Sequence, residues 1–271
     1  MVVLSGYGHG YAQTFSITPD TIQQGEPLMV QIQGVPYSEV EKINFNGKQV
    51  QFFIYNSLPT AFIGIDLNKN PGEYALIVTF KNGTVLKKDI VVHARENIQI
   101  PLGIPQKLGG NTPASEKRLV SALTRENNLL LSIPTSKKAL WTKKFISPVL
   151  DPVVVDPYGY QRLTGEYTIA HKGTDFRAPV GTNIYAMNRG IVRIAKTSPV
   201  YGKMVVIDHG LGLMTFYLHL SKINVRQGEI IQQGAILGKS GQTGYALSPH
   251  LHLTLRMNNI SVDPIKFLAF F

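Results

Sequence analysis

The sequence predicts a mainly β protein in three parts. An immunoglobulin-like β-sandwich occupies residues 14–95, a linker with one helix 96–144, and a compact antiparallel β domain 145–271. Three observations carry this. Short runs rich in β-branched and aromatic residues alternate with Gly, Asn-Gly and Pro turns through both outer parts. One stretch near the middle has helical spacing, bracketed by Thr112-Pro113 and Ile133-Pro134. Residues 248–255, Ser-Pro-His-Leu-His-Leu-Thr-Leu, alternate without a helix period and read as a strand.

In the first part the strand-like runs are 14–17, 28–32, 42–45, 49–55, 61–67, 74–80 and 85–92. Asn46-Gly47 and Asn82-Gly83 are hairpin signals, because a type I′ turn needs positive φ at both central residues. About seven strands at this spacing suggest the immunoglobulin-like sandwich. Asn82-Gly83-Thr84 also fits a glycosylation acceptor, but the hairpin accounts for it without modification. Catalytic residue types are not concentrated here, so this part reads as a binding, spacing or gating module.

The linker opens on a loop marked by Pro101, Gly103, Pro105, Gly109 and Gly110. The helix follows over 114–131: Thr112 caps it, and Pro113 at the first helical position forfeits no hydrogen bond. Leu119, Ala122, Leu123 and Leu130 give it an apolar stripe. Lys137, Lys138, Lys143 and Lys144 flank Trp141 and read as a solvated basic connector. Beyond it the predicted strands are 190–195, 204–208, 214–219, 229–231, 236–239 and 250–256, with no helix longer than a turn or two.

Composition sets outer limits. With 271 residues, 44% hydrophobic and 16% charged, the chain suits a folded protein with a sizeable core. No run of 18 apolar residues is present, so no membrane span is expected, and Met1-Val2-Val3-Leu4-Ser5-Gly6 lacks the basic start of an intact signal peptide. The absence of cysteine excludes disulfides, thiolate nucleophiles and thiolate metal sites. The net charge of +10 is uneven: Lys and Arg against Asp and Glu number 7 and 7 in 1–95, 8 and 3 in 96–144, and 12 and 7 in 145–271. The excess favours a polyanionic partner for the linker and C-terminal part.

In a strand, residues i and i+2 face the same way, so His250 and His252 share a surface about 6.5–7 Å apart at Cα. Either both bind one ion, or one ligates while the other moves protons. Upstream, the glycine-containing segment His171-Lys172-Gly173-Thr174-Asp175 can aim an imidazole and a carboxylate inward together. His171, Asp175 and His252 then make two nitrogens and one oxygen, the ligand count of a catalytic zinc site whose fourth position is left for water. His219 and His250 remain for duties other than ligation, and histidine titrates close enough to zinc-bound water to accept its proton. His219 has a plainer reading, packing in its strand, and His209, in the turn after Val205-Val206-Ile207-Asp208, is read as satisfying backbone groups. His9 and His93 are assigned nothing.

Over roughly 148–268 the chain resembles the lysostaphin/LytM-type zinc endopeptidases, which cut peptide cross-links of bacterial peptidoglycan. The resemblance rests on Asp156-Pro157-Tyr158-Gly159-Tyr160-Gln161-Arg162, His171-Lys172-Gly173-Thr174-Asp175 and Val206-Ile207-Asp208-His209-Gly210. It continues through Tyr217-Leu218-His219-Leu220-Ser221, Val225-Arg226-Gln227-Gly228, Gly238-Lys239-Ser240-Gly241 and Pro249-His250-Leu251-His252. It implies that His171, Asp175 and His252 bind one zinc ion. It further implies that His250 is the general base for water attacking the amide carbonyl, and that His219 orients this water and stabilises the oxyanion.

The resemblance also implies peptidoglycan peptides as partner and a periplasmic or secreted place in the cell envelope, with no nucleic acid involved. Two departures stand beside the site: Ser248 where the family usually has Gly, and Thr254 where an acidic residue is common. The alternative is a non-catalytic scaffold of the same fold that activates another wall hydrolase, although such relatives lose zinc ligands and this chain keeps all three. The length and basicity of residues 96–144 add an expectation of intramolecular inhibition, with the N-terminal region covering the groove.

Overall fold

The computed structural model of the protein describes residues 12–141 and 143–271. The first six residues, read above for a leader, and His9 lie outside the described residues. The chain divides into two compact units. One holds residues up to 22, 28–63 and 70–93; the other holds 23–27, 64–69 and 94–271.

The strands of the first unit are β1 (Thr14–Thr18), β2 (Ile22–Gln23), β3 (Pro27–Gln33), β4 (Val40–Phe45), β5 (Lys48–Val50), β6 (Phe52–Tyr55), β7 (Leu58–Gly64), β8 (Gly72–Phe80) and β9 (Val85–His93). They form two sheets, ordered β1-β3-β7-β6 and β2-β9-β8-β4-β5. Leu28, Val30, Ile32, Ala61 and Ile63 are buried in the first, and Ile43, Leu76, Val78, Phe80, Ile90 and Val92 in the second. Each Leu, Ile, Val or Phe among them contributes about 1.5–3 kcal/mol on burial.

Asn46 and Gly47 both have positive φ, 50° and 75°, as the type I′ hairpin between β4 and β5 requires. At the second Asn-Gly only Gly83 does, and Asn82 Oδ1 accepts from Thr84 N at 3.0 Å instead. Residues 49–55 are not one strand. The run breaks at Gln51, with β5 pairing β4 in one sheet and β6 pairing β7 in the other. Period-2 alternation reads straight through such a crossing.

The second unit contains β10 (Gln99–Pro101), α1 (Pro113–Leu131), β11 (Val154–Asp156), β12 (Gln161–Thr164), β13 (Tyr167–Ala170), β14 (Thr174–Arg177) and β15 (Asn183–Tyr185). It goes on with β16 (Gly190–Ser198), β17 (Gly202–Gly210), β18 (Leu213–Leu220), β19 (Lys222–Ile223), β20 (Ile230–Ile231), β21 (Ile236–Lys239), β22 (His250–Met257), β23 (Ile260–Val262) and α2 (Pro264–Leu268). The main sheet runs β11-β14-β22-β18-β17-β16-β20, with β23 on β22. Its neighbours pair antiparallel. β10-β12-β13 and β15-β21-β19 form two smaller sheets.

α1 starts where the capping argument puts it, with Thr112 Oγ1 accepting from Ser115 N at 3.3 Å and Pro113 in the first turn. Leu130 packs with Met204, Val206, Met214, Phe216 and Leu218 from β17 and β18. Leu119 and Ala122 form a second cluster with Ile104 and Val200. Glu126 is buried and pins the helix: its carboxylate accepts from Val200 N and Ser198 Oγ, both at 2.8 Å. Residues 94–144 thus cluster with the C-terminal unit rather than standing apart. The four lysines are exposed, but Trp141 is buried, its ring centroid 6.0 Å from that of Phe145. His209 lies inside β17, not in a turn, and is fully buried; Leu211-Gly212, both at positive φ, make the turn.

Candidate metal centre

Strand register assembles the centre. Asp175 on β14 faces His252 on β22 directly across the ladder, and Arg177 faces His250. Ladder partners share a sheet face, so the carboxylate and both imidazoles of β22 lie on one side. His171, just before β14, completes the group: His252 Nδ1 is 2.7 Å from Asp175 Oδ1, and His171 Nε2 is 3.2 Å from Asp175 Oδ1 and 3.1 Å from His252 Nδ1. Among the described residues, these three are the cluster of His, Asp or Glu side chains able to hold a metal ion. His250 lies beside it, with Nε2 3.8 Å from Asp175 Oδ2.

Hydrogen bonds outside the centre assign the tautomers. His171 Nδ1 donates to Pro157 O at 2.8 Å, which leaves its Nε2 lone pair facing inward. Thr254 Oγ1 spends its proton on Lys172 O at 3.1 Å and so accepts from His252 Nε2 at 3.0 Å. His252 therefore turns the Nδ1 lone pair inward. Burial pushes its pKa down to about 4, which keeps the ring neutral. For Asp175 burial works toward a higher pKa, but His252 and His171, when their rings carry a proton toward it, outweigh burial through charge and hydrogen bonding and hold the carboxyl well below the usual range. Arg162 Nη2 binds the outer oxygen, Oδ2, at 2.6 Å.

Two lone pairs and a carboxylate oxygen thus converge with no proton between them. Left bare, such a set repels itself; a divalent cation satisfies it, and two nitrogens with one oxygen suit zinc. The donor set fits the ion.

The other two histidines close the rim. His219 lies in β18 but has φ of +61°, a conformation that non-glycine residues adopt at a cost of about 1–3 kcal/mol. Its neighbour Leu218 is the ladder partner of His252, so regular alternation would send His219 to the opposite face. The positive φ brings it back: its ring centroid is 4.9 Å from that of His250 and 6.0 Å from that of His252. His219 Nδ1 donates to Thr243 O and His250 Nδ1 to Ser248 O, each at 2.8 Å, so both present Nε2. Burial, then the neighbouring His250 and His252, push the pKa of His219 down to about 3.

Residues 169–264 match the model of Peptidase family M23. The C-terminal unit carries an M23 peptidase domain. The M23 region is 44% identical over 96 residues to peptidoglycan DD-endopeptidase ShyA of Vibrio cholerae, covering 35% of this chain and 22% of that protein. It is 34% identical over 122 residues to DD-carboxypeptidase/endopeptidase Mpg of Neisseria meningitidis, covering 45% of this chain and 28% of that protein. The matches thus span about a quarter of the length of these curated relatives. A crystal structure described as a peptidase M23 from Pseudomonas aeruginosa superposes with a TM-score of 0.66 at 27% identity, covering 92% of this chain and 95% of that one. That likeness extends beyond the M23 domain into the N-terminal strands.

The five residues singled out from the sequence, His171, Asp175, His219, His250 and His252, lie together inside the matched region. His209 does not: its Nδ1 contacts Arg189 O at 2.9 Å and its Nε2 contacts Thr215 Oγ1 at 2.8 Å, inside the sheet. The groups that fix the rings, Thr254 and the carbonyls of Pro157 and Thr243, and Arg162, which fixes the Asp175 carboxylate, were missed as partners because strand pairing and bulges decide who faces whom. Gly173 has a steric reason: a Cβ there would overlap His252 Nε2 and come within 2.7 Å of Leu253 O. A cavity of 490 Å³ adjoins the centre, walled by His171, His219 and His252 and by Leu119, Leu123 and Asn127 of α1.

Proposed function

We propose that the chain is a zinc-dependent endopeptidase that hydrolyses peptide cross-links of bacterial peptidoglycan. The convergence of His171, Asp175 and His252, rimmed by two histidines with inward Nε2 atoms, carries the reading. The names of ShyA and Mpg support the substrate class. In this proposal His171, Asp175 and His252 hold one zinc ion, residues 14–95 are an accessory domain, 96–144 a linker, and the protease domain begins near 145. When bound, zinc brings the pKa of a water to about 7 and polarises a carbonyl.

The chain's own groups supply the rest. With its Nδ1–H donating to Ser248 O, the His250 ring presents Nε2 as the acceptor that takes the proton of the attacking water. His219, neutral with Nδ1–H committed to Thr243 O, accepts a second hydrogen bond from that water and fixes its direction. Once His250 Nε2 has gained that proton it becomes a donor, able to deliver it to the leaving amine. Arg162 keeps the Asp175 carboxylate turned inward.

The proposed setting is the cell envelope, periplasmic or secreted, where peptidoglycan lies. Among the described residues no helix is long and apolar enough to cross a membrane. Exposed Lys137, Lys138, Lys143 and Lys144 suit an anionic wall polymer. Intramolecular inhibition belongs to the same proposal, with α1 as the segment that restrains access, since six of its residues line the cavity.

Zinc content and cleavage of purified sacculi, measured together on the full chain, test the assignment. His252→Ala should lose the metal and all turnover. His250→Ala should keep stoichiometric zinc and lose about 10²–10⁴-fold in turnover. Bound zinc with no cleavage of any wall preparation would instead favour the scaffold reading.

A further inference from the structure

The cavity beside the centre holds a charge that the mechanism does not use. Arg256 is on β22, on the face and four residues beyond His252, and it lines the cavity with Asn127, Tyr201 and Thr254. It is only 8% exposed. Its guanidinium carbon sits 4.7 Å over the Phe216 ring, and Nη2 donates to Asn127 Oδ1 at 3.2 Å. Nε and Nη1 are buried without a hydrogen-bond partner. None of the ion pairs among the described residues includes Arg256. Burying a cation with no ion-pair partner is costly, and natural structures compensate such charges.

The geometry is that of an anion site waiting in a substrate cavity. Asn127 Oδ1 also accepts from Tyr201 Oη at 2.8 Å, so the residue anchoring the guanidinium is itself fixed to the sheet. The face of the Phe216 ring attracts the cation without neutralising it. Four strand residues separate the Cα atoms of His252 and Arg256 by about 13 Å. An extended peptide covers that distance in about four residues.

We propose that Arg256 is a substrate-binding residue that receives a carboxylate of the peptide, two to four residues from the bond being cut. The assignment rests on the peptidase reading and deepens it. Guanidinium and carboxylate form charge-assisted hydrogen bonds, and a site built to make them rejects an analogue that cannot. An amide in place of the carboxylate leaves Arg256 unpaired and adds its own desolvation cost.

The test uses the full chain and one synthetic cross-linked muropeptide in two forms, with its terminal carboxylate free and amidated. Binding is measured by calorimetry on the zinc-free protein, and cleavage is measured on the zinc-loaded protein. The wild-type chain should bind the acid at least tenfold more tightly than the amide and cleave it with at least tenfold higher kcat/KM. In Arg256→Met the acid-to-amide ratio should fall to about one in both measurements, and Arg256→Lys should be intermediate.

Equal binding of acid and amide by the wild-type chain overturns the proposal, as does a preference that persists in Arg256→Met. If Arg256→Met does not fold, the arginine Nε–H resonance of wild-type protein decides. It should shift on titration with the acid and not with the amide; no shift overturns the proposal. Acid-selective binding without cleavage of either form would leave the anion site standing and remove the peptidase reading.

Discussion

Thr254 holds the most telling single position. A carboxylate there would accept the His252 proton with a full charge, whereas the Thr254 hydroxyl accepts it only because its own proton is engaged with Lys172 O. The chain Lys172 O, Thr254 Oγ1, His252 Nε2 therefore carries tautomer information from backbone to ligand. Partners of this kind are worth about 10–100-fold in metal affinity. Thr254→Val keeps the shape and removes the hydroxyl, so zinc affinity measured by chelator competition should fall by about that factor, while Thr254→Ser should stay near wild type. Equal affinities in all three proteins would show that the hydroxyl does not set the ring. The donor types were legible in the sequence, since two histidines at i and i+2 and a His-x-x-x-Asp segment name themselves. Which nitrogen each ring presents was not, because the deciding carbonyls of Pro157 and Ser248 carry no residue-specific signal.

Among the elements, α1 follows its sequence reading in extent and leaves open only where it packs. Its start, its cap and its apolar stripe follow from Thr112, Pro113 and the leucine spacing. Its destination does not follow from them, because the same stripe serves a free-standing linker helix or one docked on a sheet. Buried Glu126 decides between these: a carboxylate satisfied by Ser198 and Val200 belongs to a fixed position. Docked there, α1 walls the cavity through Leu119 and Leu123. Leu123→Ala shortens a partly buried side chain, costing about 1–2 kcal/mol of stability. If α1 restrains access, turnover of sacculi by this variant should rise several-fold despite a lower melting temperature; unchanged or reduced turnover would remove the restraint. β18 gives a second case. Its strand character is plain in the sequence, but the positive φ that turns His219 back toward His250 is a local irregularity that alternation hides.

For the whole molecule, Asp208 links acid stability to the packing of the segment after α1. Its carboxylate accepts from Ser136 N at 2.9 Å, Thr135 Oγ1 at 2.8 Å and Gly210 N at 2.8 Å, and pairs with Arg193 at 2.6 Å. Burial would raise its pKa, but Arg193 and these hydrogen bonds outweigh it, and the net shift is downward. A carboxyl with a depressed folded pKa contributes stability above its unfolded value, about 3.9, and loses it as pH falls through the folded value. Asp208→Asn should therefore destabilise by about 3 kcal/mol at neutral pH. Its melting-temperature gap to wild type should shrink steadily below about pH 4; a gap independent of pH down to about 2 would contradict this account.

The pairing of Asp175 with His252 makes the centre a record of how the chain was threaded. If β22 slipped by one residue against β14, Leu251 or Leu253 would stand opposite Asp175 and both histidines would turn to the far face. Such a molecule would keep its strands, its hydrophobic composition and most of its secondary structure, yet it would have no place for an ion. Under the proposed zinc assignment, metal uptake would act as a proofreading step that only the correctly registered chain passes. Because ligands bound by the native state alone stabilise it by mass action, the ion would also bias the sheet toward that alignment and away from its near misses.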